Sequence, residues 1–317
     1  MVNYNWVSLK IKHILLAFTI LFSGCNNNPN APYNDTPTSG KVNIAADETL
    51  RPLVGAELDT FHGLYRYAFI NMNYKHETAL FNDLLNDSVK VIVASRKLRK
   101  EEEAVFKQHQ LIPVTTKVAV DAVALIINKE NNDSLLMISQ LKEILSGKTK
   151  SWKQLNAKTQ LGDITFVFDN KGSSTVRYLS DSIIHSTHLP TYCFAVNTNK
   201  EVLDYVEKNK NAIGVIGVSW ISDQDDGSVK DFLSRVRVMA LTDKENPVAD
   251  DYVQPYQAYI ALKQYPLTRE VYMISREGRA GLGTGFVSFV AGDAGQRIVR
   301  LAGLLPATMP VRIVNTN

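Results

Sequence analysis

The sequence is poor in the residues that build metal centres and covalent cross-links. It has two cysteines in 317 residues, Cys25 and Cys193. That is too few for a cysteine-rich metal site. Because Cys25 has a separate explanation below, Cys193 is left unpaired, and no intrachain disulfide is expected. Cys193 lies in an apolar run with Phe194, Ala195 and Val196 and reads as a small buried hydrophobe. His62, His76, His109, His185 and His188 are scattered, and His185-x-x-His188 has no third ligand, so no metal is expected. A Gly-x-Ser-x-Gly nucleophile elbow is missing too, and no catalysis is expected. Charge of one sign is not in excess. The formal +3 includes Lys10 and Lys12 of an N-terminal segment, and without them 33 basic residues face 32 acidic ones. That balance offers no basic field for a nucleic acid. No apolar run reaches the ~20 residues of a membrane-spanning helix.

What remains is an ordinary globular composition, 45% hydrophobic and 21% charged. The length suits two modest domains or one large one. Near the start, Lys10, Lys12 and His13 precede the apolar run Ile14–Phe22, then Ser23-Gly24-Cys25. A basic region, a short apolar region and small residues before a cleavage point make an export signal. Small residues directly before a cysteine resemble the lipobox of bacterial lipoproteins. The resemblance implies a signal peptide over 1–24, lipid attachment at Cys25, and a protein anchored in the cell envelope and facing the periplasm. Residues 25–40, rich in Asn, Pro, Thr and Ser, read as a flexible tether.

Beyond the tether, strand and helix patterns alternate. Lys41–Ala46, Ala68–Tyr74, Val89–Ala94 and Val118–Asn128 read as strands, the last interrupted by Asp121. Helices are predicted from Leu50, from His76-Glu77-Thr78, over Lys100–Gln108 and around Leu135–Leu145. Ile213–Val218 and Val236–Leu241 read as further strands, Tyr256–Leu262 as a strand leading back out, and Gly285–Leu301 as a closing amphipathic helix. The alternation predicts an α/β protein with largely parallel sheets. In such sheets a ligand lies beyond the carboxyl ends of the strands. Four strand-end loops fit that position: Asp47-Glu48-Thr49, Tyr74–Glu77, Ala94-Ser95-Arg96 and Gly172–Thr175.

The fourth loop is the most informative. Asp163–Phe168 suits a buried strand, and Val176, Leu179, Ile183 and Ile184 follow at helical spacing. Between them, Ser173, Ser174 or Thr175 is placed to cap the helix. A small-residue turn into a helix start presents free N–H groups and hydroxyls to an anion.

Six motifs in order, over roughly residues 41–312, resemble the phosphate-type substrate-binding proteins of ABC importers in their lipoprotein form. They are Ala46–Leu53, Ala94–Leu98, Asp121–Asn128, Asp169–Arg177, Ala212–Gly217, and Gly295–Val299 with Gly303–Ala307. The resemblance implies a type II periplasmic-binding fold of two α/β lobes joined by two crossing strands, closing on a ligand between them. Lobe one would take 41–121 and 256–317, lobe two 122–255, with crossings at the Asp121 and Tyr256 strands. The ligand would be a small oxyanion, inorganic phosphate first, delivered to an ABC permease by a monomer without a cofactor. The alternatives are another small polar or zwitterionic ligand, or a sensor or interaction lipoprotein. Carried over by position, Glu48, Thr49 and Leu50 belong to the first loop, Glu77 to the second, and Ser95 and Arg96 to the third. Asp169, Ser173, Ser174 and Thr175 belong to the fourth. Asp169 falls where the family places an arginine, so Arg96, Lys171 or Arg177 would have to pair with the cleft acids.

Overall fold

The computed structural model describes residues 35–222 and 227–310. The proposed signal peptide and Cys25 lie outside them. Among the described residues, no helix is long and apolar enough to cross a membrane.

The chain opens with three βα units. Strand β1 (Gly40–Asp47) leads through a single 3-10 turn (Glu48–Leu50) into helix α1 (Arg51–Leu64). Pro52 lies in the first turn of α1, where a missing N–H costs nothing. Strand β2 (Ala68–Lys75) leads to α2 (Glu77–Leu85), and β3 (Val91–Ala94) to α3 (Lys100–Gln108). Val42, Ile44 and Ala46 pack to one side of this sheet with Phe61 and Phe286. Ala45, Ile92 and Ala94 pack to the other with Leu80 and Phe106. The period of two along β1 and β3 thus places helices on both faces.

Strand β4 (Val114–Asn128) is long, and a short β5 (Leu135–Met137) follows it, then α4 (Ile138–Leu145) and α5 (Trp152–Leu155). The second set is β6 (Thr165–Phe168), α6 (Ser174–Leu179), β7 (Cys193–Ala195), α7 (Asn199–Lys208), β8 (Ala212–Gly217) and α8 (Gly227–Arg235). Strands β9 (Val236–Val238) and β10 (Ala240–Thr242) precede α9 (Gln257–Ala261) and β11 (Thr268–Ser275). Helices α10 (Leu282–Ala291) and α11 (Asp293–Leu301) and a short β12 (Leu305–Pro306) close the chain. The strand order is β2-β1-β3-β11-β4-β8-β6-β7, with β9 and β12 also on β4. Pairs β1–β2, β1–β3, β6–β8 and β6–β7 are parallel, whereas β11 runs antiparallel to β3 and β4. A second large core fills the β4-β8-β6-β7 half, around Phe166, Phe168, Trp152 and Ile216. This is the predicted α/β architecture in two lobes.

Several local expectations are corrected. Tyr256–Leu262 is no strand: Gln257–Ala261 is a short helix that starts after the extended Tyr256 and buries Ile260. Ile260, Tyr265 and Leu267 pack in the second core, so the chain returns to the first half on β11, not at Tyr256. Val236–Leu241 is two strands on different partners, β9 on β4 and β10 on β5. Leu135–Met137 is strand before the predicted helix begins. The closing helix breaks at Gly292, whose extended backbone (φ −82°, ψ 176°) ends α10 and starts α11. The tether ends before residue 40. The Asp35 carboxylate pairs with Arg279 and accepts from Leu282 N at 2.9 Å, capping α10. Cys193 is half-buried on β7, and burial pushes its thiol up to about 12.

Candidate functional site

The carboxyl ends of β1 and β6 face each other. At the end of β1, Asp47 Oδ1 accepts from both Thr49 N and Thr49 Oγ1 at 3.0 Å, which fixes the Thr49 hydroxyl beyond the strand. At the end of β6, Asn170 Oδ1 accepts from Gly172 N at 2.9 Å and tightens the turn. Ser173 then caps α6, its Oγ accepting from Val176 N at 3.3 Å. Thr175 Oγ1 donates to Asp169 Oδ1 at 2.6 Å and lies 2.9 Å from Ser173 Oγ. This leaves Ser174 pointing across the cleft, its Oγ 3.3 Å from Thr49 Oγ1.

Between these hydroxyls stands a guanidinium. Arg269, on β11 and 4% exposed, donates from Nη1 to Ser174 Oγ at 2.8 Å and from Nη2 to Thr49 Oγ1 at 2.9 Å. Its Nε donates to Asp121 Oδ2, also at 2.8 Å. One cation therefore touches both lobes' loops and is balanced by a carboxylate on β4. Burial alone would push Arg269 down; Asp121 and Asp47 more than offset it, and the net shift is upward.

A second cluster gathers at the start of α2. Glu77 takes Arg177 Nε at 2.5 Å and Nη2 at 3.1 Å, Arg96 Nε at 3.3 Å and Ser95 Oγ at 3.2 Å. Arg177 Nη2 also donates to Ser95 Oγ at 2.9 Å. The fork of Arg96 is directed elsewhere, onto Glu102 at 2.7 and 2.8 Å, and the guanidinium lies 3.3 Å above the Phe81 ring. Arg96 is thus committed to two carboxylates, Glu77 and Glu102, and a ring within its own lobe.

Further contacts cross the cleft. Glu48 Oε2 accepts from Asn199 N at 3.3 Å and from the Asn199 amide, capping α7 from the other lobe. Ser219 Oγ donates to Thr49 O at 3.0 Å, and Thr78 N to Gly172 O at 3.2 Å. Both approaches require glycine. A Cβ on Gly217 would stand 2.6 Å from Thr49 O, and one on Gly172 2.9 Å from His76 Nδ1. Asp47, Thr49, Ser174 and Thr175 have 0% exposure, so a ligand reaches them only when the lobes part.

Burial shifts the acids upward. Asp47 is pushed up to about 6 by desolvation, against Arg269, with Glu77 and Asp169 adding to the rise. Glu48 rises to about 7, again by desolvation, although Asn199 opposes it. Asp169 and Asp121 are raised for the same reason, opposed by Thr175 and Arg269 respectively. Near neutral pH, Asp47 and Glu48 therefore exchange protons where their exposed counterparts would stay charged.

A family model for the PBP superfamily domain matches residues 31–294. The chain belongs to the PBP superfamily. The phosphate-binding protein PstS of Staphylococcus epidermidis (strain RP62A) is 24% identical over 286 residues, 89% of this chain and 84% of the relative. Among solved structures, a candidate phosphate ABC transporter substrate-binding protein from Clostridium perfringens, with bound phosphate, superposes with a TM-score of 0.71 at 23% identity. The match covers 85% of this chain and all of that one. An ABC-type phosphate transport receptor from Vibrio cholerae gives 0.62 at 18% identity, covering 84% of this chain and all of the other.

Within this PBP-superfamily fold, the residues singled out from sequence separate into three groups. Thr49 and Ser174 meet at Arg269, with Asp169, Ser173 and Thr175 chained behind Ser174. Glu77, Ser95 and Arg96 form the second cluster with Arg177, and Glu48 turns to Asn199. The Leu50 side chain packs in the first-lobe core. Arg269 is not among these residues. Its only sequence signal is an arginine inside the β-branched and aromatic run Thr268–Ser275.

Proposed function

We propose that this PBP-superfamily protein is the substrate-binding component of an ABC importer and that its ligand is inorganic phosphate. The observation that carries the reading is Arg269, a buried guanidinium against hydroxyls from both lobes. If Thr49 and Ser174 separate around an oxyanion, both hydroxyls and both Nη groups become donors to it, in a site with little competing water. The phosphate relatives and the superposition support the same ligand class.

The acids of the site favour an anion that keeps a hydrogen. Two like unit charges 4 Å apart repel by ~4 kcal/mol even at an effective dielectric of 20. Asp47, pushed up to about 6, lessens that repulsion when protonated and accepts from a P–OH when charged. Sulfate has no hydrogen to offer near neutral pH and should bind less well.

In this reading the protein binds and releases its ligand without a reaction, and works as a monomer with a membrane permease. Lobe one runs from residue 41 to Asp121 and resumes at β11, with lobe two between, so the hinge lies in β4 and β11. The 1–24 segment is a signal peptide and Cys25 a lipidation site, which ties the protein to the cell envelope facing the periplasm. Calorimetric titration of the purified domain with phosphate, sulfate and zwitterionic metabolites tests the ligand. Heat with phosphate and little with sulfate is expected; silence at millimolar phosphate overturns the assignment. Mass spectrometry of the membrane-extracted protein tests the anchor, which requires an acylated N-terminal peptide beginning at Cys25.

A further inference from the structure

The second cluster is arranged like an anion site that is already filled. The Glu77 carboxylate is 3% exposed and receives four side-chain donors, from Arg177, Arg96 and Ser95. Two of these hydrogen bonds come from Arg177 in the opposite lobe, in the forked geometry that guanidinium groups offer to oxyanions. Arg177 is on α6 three residues after Ser174, a spacing that puts the two on one helix face. Ser174 is the residue that touches Arg269. The Glu77 charge also reaches the first cluster, where it acts on Asp47 and Arg269.

We propose that Glu77 is a built-in competitor for the anion, and that ligand binding exchanges its carboxylate for the incoming oxyanion on Arg177 and Ser95. The proposal rests on the phosphate reading and deepens it, making Glu77 a determinant of affinity. A retained Glu77 repels the anion and occupies its donors; a displaced Glu77 releases a guanidinium and a hydroxyl one helical turn from the Arg269 centre. The wild-type affinity is therefore set below what the donors alone would give. Arg96 stays on Glu102 throughout, since its fork is bidentate there.

The test is calorimetric titration of inorganic phosphate into wild type, Glu77→Gln and the double variant Glu77→Gln/Arg177→Met. Glu77→Gln should bind phosphate about tenfold more tightly, and the double variant should lose that gain. Were Glu77 only a strap between lobes, or itself a ligand contact, Glu77→Gln would bind equally or more weakly, and the proposal would fall while the phosphate reading stood. A gain that persists in the double variant also overturns it, because Arg177 would then not be the group released. Silence from wild type and Glu77→Gln alike would remove the phosphate reading and the competitor with it. If Glu77→Gln does not fold, Glu77→Asp serves. Its carboxylate, one methylene short, cannot satisfy both arginines, so a gain of a few-fold supports the exchange and no gain opposes it.

Discussion

Arg269 and Asp121 are register partners on β11 and β4, and the ion pair between them is buried to 2% and 0% side-chain exposure. The two strands that carry the chain between sheet halves therefore also hold the cation facing the cleft. Asp121 Oδ2 holds the guanidinium from behind, 2.8 Å from both Nε and Nη2, while Nη1 reaches Ser174 and Nη2 also donates to Thr49.

Removing that cation should cost stability as well as binding. Arg269→Met leaves Asp121 buried and unbalanced, which destabilises by about 3–5 kcal/mol. Arg269→Met/Asp121→Leu should recover most of that loss in urea unfolding while phosphate binding stays absent. Arg269→Lys should not restore affinity, because one ammonium cannot span three acceptors. Full binding by Arg269→Met would move the site elsewhere.

Ser174→Ala and Arg96→Ala should separate binding from folding. The Ser174 hydroxyl would donate to the ligand, and a hydrogen bond to a charged group is worth about 1.5–3 kcal/mol, or about tenfold or more in Kd. Arg96 packs on Phe81 and pairs with Glu102, so its loss should lower the unfolding midpoint and change the phosphate Kd less than Ser174→Ala does. The reverse ranking by calorimetry would place Arg96 in the ligand shell.

Gly217→Ala should act on closure. The added Cβ meets the Thr49 carbonyl at 2.6 Å, a backbone atom that cannot swing aside. The lobes should stop short of full contact, with phosphate affinity reduced more than tenfold and a larger radius of gyration in saturating phosphate by X-ray scattering. Unchanged scattering and affinity would mean that the loop yields easily.

Glu57 should make stability depend on pH. It is 2% exposed on the buried face of α1, neither carboxylate oxygen has a hydrogen-bond partner, and desolvation pushes it up to about 8 from 4.5. The folded state holds this proton more tightly than the unfolded state, so stability falls as pH rises from 4.5 through 8. The full loss above that window is on the order of 5 kcal/mol. Glu57→Gln should flatten this part of the urea-midpoint profile and be more stable than wild type at pH 9. Parallel profiles for the two proteins would refute it.

The strand-end loops were legible because their chemistry is local. Asp47 capping Thr49 and Ser173 capping α6 are contacts within three residues, and hydroxyl or acidic residues between a strand pattern and a helix pattern announce them. Arg269 was not legible, since the β11–β4 pairing brings it only Asp121, while Thr49 and Ser174 reach it from the ends of β1 and β6, far away in the chain. Tyr256–Leu262 carries the apolar pattern of a returning strand, and that pattern masks β11, whose run holds two charged residues, Arg269 and Glu270. Asp169, where the resemblance implies an arginine, is the same point seen from the other side: a compensating charge comes from Arg269 on β11, a hundred residues later in the chain. Arg177 was legible as a partner for a cleft acid, but sequence could not choose which acid.

Strand β4 has a consequence for how the protein comes apart. It pairs with β11 and β12 along its first part and with β8 and β9 along its second, so both cores are built on one continuous strand. Neither half can melt without stripping hydrogen bonds from the other. Heat or urea should therefore unfold the described residues in a single cooperative step, and the amides near the middle of β4 should be among the last to exchange with solvent. A fragment cut out at the lobe boundaries would take only part of that ladder with it.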